Sequence, residues 1–130
     1  MLDRVKREAA LRRAAIDDAQ RLFPTFLDDV VAPVCRQVVQ ALKAEGHAFS
    51  IFTPAGALRL VSDKSADDFI AFELDTASPA PGVLGRVSVT RGRRVLSHER
   101  LVGDGKPVAA LAADDVLDFL MDELSPFVSR

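Results

Sequence analysis

A chain of 130 residues, 48% apolar and 28% charged with a net charge of −2, has the size and balance of one globular domain. This excludes a disordered or fibrous polypeptide and any global field able to gather a polyanion. A single cysteine, Cys35, excludes an intrachain disulfide and every multi-cysteine zinc pattern, and eight Phe with no Trp or Tyr favour a dry core, because phenyl rings carry no polar handle.

The chain opens MLDRVKREAALRR, charged from its third residue and without the apolar centre of a leader peptide. Leu2, Val5, Ala9, Ile16 and Ala19 recur at spacings of three, four and seven, which predicts a surface helix over Leu2 to Leu22 with a narrow apolar stripe. Pro24 is expected to interrupt it, and Thr25 to cap a second helix through FLDDVVAPVCRQVVQALKAE. That stripe is broader, with Leu27, Val30, Val31, Val34, Val38, Ala41 and Leu42, and it places Cys35 among apolar neighbours as a buried residue. Pro33 removes a hydrogen bond inside it, so a kink or a later start is expected; Gly46 ends it.

After Gly46 the period changes from helical to alternating. HAFSIF, ALRLVS, DDFIAFELD, VLGRVSVT and RVLSHERL predict five strands joined by TPAG, SDKSA, ASPAPG and a turn at Gly92. Every connection is too short for a parallel crossover, so the strands form an antiparallel meander. Leu58 and Leu60, with Ile70, Phe72 and Leu74, mark its packed face. A loop, GDGKP, leads to a last helix capped by Asp114 and seated through Val116, Leu117, Leu120, Met121 and Leu124. With no repeat or linker, residues 1–130 read as a single α+β domain. Two N-terminal helices, a mainly antiparallel five-stranded meander and a C-terminal helix are expected, with the helices on one face of the sheet.

The fourth and fifth strands carry VSVTRGRRVLSHER, whose four arginines, with Arg86 just before them and against Glu99, give residues 86–100 a local charge of +4. A three-residue loop, Arg91-Gly92-Arg93, sets Val89 opposite Val95 and Val83 opposite Leu101. It sends Thr90 with Arg94, Ser88 with Leu96 and Arg86 with His98 to the other side. A two-residue loop, Arg91-Gly92, mixes the faces, so the longer loop is preferred, although it turns Glu99 inward. Arg86, Arg91, Arg93, Arg94, His98 and Arg100 are then the candidate contacts for an anion or an acidic partner, with His98 beside Arg86, where protonation is disfavoured. The hairpin has no aromatic platform and no basic recognition helix follows it, which argues for solvated arginines over nucleic-acid binding.

Enzymatic signatures are missing. His47 and His98 have no metal-ligand spacing, GDGKP places Pro107 where a phosphate loop needs Ser or Thr, and no serine stands in GxSxG. Gly82-Val-Leu-Gly85 leads into a strand, whereas the nucleic-acid-binding GxxG joins two helices. The adjacent aspartate pairs, such as Asp28-Asp29 and Asp114-Asp115, point about 100° apart on a helix and do not converge. No cofactor, metal or catalytic residue is expected. The longest uncharged stretch, Gly46 to Leu58, is shorter than the ~20 residues that cross a bilayer, so a soluble, cytoplasmic chain with no membrane contact is expected.

The expected function is a protein–protein interaction or adaptor module, a homodimer above all, because the narrow first helix and the strand edges can be completed by another chain. Two alternatives stand beside it: weak anion or nucleic-acid binding through residues 86–100, and a small ligand held between sheet and helices.

Overall fold

Residues 2–44 form one helical rod. In the computed structural model, which describes residues 1–128, α1 (Leu2–Phe26) runs through a five-residue π turn (Leu27–Val31) into α2 (Ala32–Ala44). Pro24 does not interrupt it; it lies inside α1, and Thr25 is helical and caps nothing. The reason is packing. Phe23, Phe26, Leu27, Val31, Val34, Cys35 and Val38 are all buried, and this continuous apolar side offsets the ~3 kcal/mol that an internal proline costs a helix.

The second proline is absorbed by the π turn. The Ala32 N–H reaches back five residues to the Leu27 carbonyl, and the widened turn gives the Pro33 ring room against the preceding turn, so the rod continues.

Five strands follow in sequence order as an antiparallel sheet: β1 (Phe49–Phe52), β2 (Ala57–Ser62), β3 (Phe69–Asp75), β4 (Gly82–Arg91) and β5 (Arg94–Leu101). Two 3₁₀ turns, Val102–Gly105 and Val108–Ala110, lead to α3 (Ala113–Glu123) and the single turn α4 (Ser125–Val128). The expected meander and its one packed face are both present. Leu58 and Leu60 on β2, Ile70 and Phe72 on β3, and Val83 and Val87 on β4 are sealed beneath the helices. The α3 cap differs from expectation. The helix begins before Asp114, and Asp115 accepts a hydrogen bond from the Ala112 N–H at 2.9 Å.

Not every phenyl ring enters the dry layer. Phe23, Phe26, Phe49, Phe72 and Phe119 are buried; Phe72 meets Phe119 edge to face at 5.7 Å, and Phe49 meets Phe127 at 6.0 Å. Phe69 lies on the opposite face of the sheet with the Arg59 guanidinium 4.2 Å above its ring, and Phe52 is exposed. Aromatic composition alone did not separate these faces; alternation along β1 and β3 does.

α3 is seated by a close approach. A Cβ built on Gly85 would stand 2.0 Å from the Phe119 Cζ, so the ring lies directly on the β4 backbone where any side chain would hold the helix away. Gly85→Ala is expected to destabilise the fold by about 1–3 kcal/mol, the usual cost of overpacking a filled core. Urea unfolding followed by circular dichroism would show the loss as a lower midpoint; an unchanged midpoint would mean that α3 is not seated here.

Candidate interaction surface

The β4–β5 hairpin turns through two residues, Gly92 and Arg93, with Arg91 opposite Arg94. Neither loop expected from the sequence is formed. Gly92 has φ +62° and takes the first central position, the place of glycine in a type II′ turn whose twist matches that of the strands. The register is therefore one residue away from the three-residue alternative, and a slip of one residue turns every β5 side chain to the other face.

The slip decides the chemistry. Glu99 faces outward and pairs with Arg86, 3.3 Å away, which also holds Glu73 at 3.1 Å. His98 is opposite Val87 and Arg100 opposite Gly85, so both lie on the helix-bearing face. His98 is thus not beside Arg86: its Nε2 lies 2.8 Å from Glu123 Oε2. Arg100 donates from Nε to Glu123 Oε1 at 2.8 Å and from its guanidinium to Asp122 at 3.2 Å, and its guanidinium sits 4.6 Å above the Phe119 ring. Burial works to raise the Glu123 carboxyl, but hydrogen bonds from Arg100 and His98, with their charges, outweigh it and hold it below the usual range.

The six candidate residues fall into two groups. Arg86, His98 and Arg100 are engaged within the chain. Arg91, Arg93 and Arg94 are exposed at the hairpin tip, and none forms an ion pair or side-chain hydrogen bond with a described residue. Two like charges directly opposite one another in an antiparallel pair oppose its formation, so the tip is a cationic feature with an internal electrostatic cost.

A second surface is apolar. All of residues 1–11 are exposed, with Leu2 at 67% and Val5 at 57% of their full accessibility. The first attachment to the body comes at Arg12, which donates to the Thr76 carbonyl at 3.0 Å and to the Pro79 carbonyl in the β3–β4 loop. The start of α1 is therefore an arm, about 15 Å long at 1.5 Å per residue. Near the end of α2, Val38, Ala41, Leu42, Leu117, Met121 and Leu124 line a groove of about 310 Å³ between α2 and α3. Leu117 and Met121 leave 40% and 55% of their surface in solvent there. The narrow α1 stripe was legible as a face wanting a partner. The groove was not, because periodicity assigns Leu117 and Met121 to the core and cannot show which flank of α3 the rod leaves open.

Among the described residues, no group of three or more His, Cys, Asp or Glu side chains is arranged to hold a metal ion, and no helix is long and apolar enough to cross a membrane. Cys35 is buried, and desolvation pushes its thiol up to about 12, leaving no thiolate at neutral pH. No protein-family model, curated protein or solved structure matches the chain.

Two measurements check this geometry. Glu123 is held below its unfolded value, so its carboxylate contributes stability above about pH 4.3, and this is lost as pH falls through the lower folded value. Glu123→Gln should cost about 1–2 kcal/mol at pH 7, a difference that shrinks on acidification; a constant difference down to pH 2 contradicts the assignment. Arg94→Thr should raise the urea midpoint by relieving Arg91, with a smaller gain at high salt; a salt-independent loss would show that the two guanidiniums do not oppose one another.

Proposed function

We propose that the chain is a soluble, cytoplasmic protein–protein interaction module that associates with a second copy of itself, with the projecting arm of α1 as its contact element. One observation carries this reading: residues 1–11 are exposed throughout, yet Leu2, Val5 and Ala9 continue the stripe that buries Ala19, Phe23 and Phe26 on the sheet. A helix end of that length is marginal when nothing packs against it. Exposed side chains at helical spacing are the anchors by which an amphipathic helix enters a groove on another chain.

The hairpin tip favours a second reading, contact with an anion or an acidic segment. Arg91, Arg93 and Arg94 are exposed and have no ion pair with a described residue, and guanidinium forks suit carboxylate and phosphate groups. The hairpin offers no aromatic on which a base could stack, so an acidic protein segment fits better than nucleic acid.

The two readings separate in solution. Static light scattering across a concentration series should show association of the full chain beyond 14.1 kDa, and deletion of residues 2–11 should abolish it; equal behaviour of the two chains removes the arm from the reading. Titration with fluorescent oligonucleotides at low salt tests the second: salt-sensitive binding weakened by Arg91→Ala with Arg94→Ala would favour the polyanion, and its absence would leave the tip to a protein partner.

A further inference from the structure

Resting on the reading of the arm as a self-association element, we infer that it docks in the α2–α3 groove of a second copy, each copy filling the other's groove in a closed pair. Arm and groove are both apolar, and they are complementary in charge. Residues 2–13 carry Arg4, Lys6, Arg7, Arg12 and Arg13 against Asp3 and Glu8. Arg4 is paired with Glu8 and Arg12 is occupied with backbone carbonyls, which leaves Lys6, Arg7 and Arg13 in solvent. α3 is the opposite: it carries Asp114, Asp115, Asp118, Asp122 and Glu123 and no cation.

Asp115 is held by Lys106, and Asp122 and Glu123 by Arg100. Asp114 and Asp118 are exposed and have no ion pair among the described residues. Asp114 stands one helical turn before Leu117, Asp118 lies on the other flank of α3 with Arg100 and Asp122, and Glu45 closes the end of the groove's α2 wall. An apolar groove bordered by Glu45 and Asp114 is therefore matched in charge by an apolar stripe flanked by cations.

The same charges argue against the obvious competitor. Leu2, Val5 and Ala9 form one side of the arm, and Lys6 and Arg13, seven residues apart, run beside them. Two arms laid stripe to stripe would press cation against cation over a very short apolar seam. Two grooves apposed would bring the Asp114 and Glu45 carboxylates of the two copies together.

The rod supplies the geometry. Residues 2–44 are helical without a break, and an antiparallel pairing about a two-fold axis near their middle would bring the first turns of one copy toward the last turns of α2 in the other. Those last turns, Gln37 to Glu45, are the α2 wall of the groove. Reciprocal exchange then closes the pair, where one-way insertion would propagate as a chain of molecules.

The experiment uses two full-length variants at solvent-exposed positions, Val5→Asp in the arm and Met121→Asp in the groove, with circular dichroism to verify that each folds. Wild type should sediment at twice 14.1 kDa, and each variant alone should dissociate at least about tenfold more readily, the loss expected of an interface anchor. An equimolar mixture should regain part of the association, because a mixed pair keeps one intact arm in one intact groove. Association should also weaken with salt.

Failure to regain association on mixing would mean that like surfaces pair, and it overturns the arm-in-groove assignment while leaving self-association intact. Wild-type association unaffected by Met121→Asp does the same. A wild type that is monomeric at every concentration overturns both this inference and the self-association beneath it.

Discussion

The packing of Phe119 against the bare backbone of Gly85 is the constraint from which the remaining surface follows. With no Cβ between ring and strand, α3 sits directly over β4, and its neighbours on the helix are carried to fixed places. Glu123 comes within reach of His98 and Arg100 on β5, while Leu117 and Met121 turn toward α2 without meeting enough of it to be covered. One contact therefore both closes the core and leaves the groove.

Around that contact the charged residues divide by what they have met. Arg86 and Glu99 neutralise one another on the outer face, and Arg100 and His98 satisfy a carboxylate that burial alone would tend to protonate. The Arg86 pair defines position more than it adds stability, since exposed ion pairs are worth ~0–1 kcal/mol. Arg91, Arg93 and Arg94 at the tip, Lys6, Arg7 and Arg13 along the arm, and Asp114 and Asp118 on α3 are among the exposed charges with no ion pair to a described residue.

The long rod links these regions. Two prolines enter it, and it persists because its buried side gains more from the core than the lost backbone hydrogen bonds cost. The same stripe that holds Ala19, Phe23 and Phe26 in the core extends past the last attachment at Arg12, so one helix serves as a core element for half its length and as a projecting arm for its beginning.

Period, turn length and composition determined the class of fold: alternation at Leu58, Leu60, Ile70 and Phe72 requires a strand with one dry face, and connections too short for a crossover require antiparallel neighbours. Those rules act within a few residues and can be read locally. The continuity of the rod through Pro24 and Pro33, the face taken by His98 and Arg100, and the groove beside Met121 were decided only in three dimensions. The hairpin shows why. Within residues 86–100 an inward Arg100 looks costly and an outward one looks natural, because the carboxylate that compensates it is Glu123, more than twenty positions away on a helix whose placement depends on Gly85. Side-chain orientation in an edge strand is set by the free energy of the partner it meets, and that partner is chosen by tertiary packing.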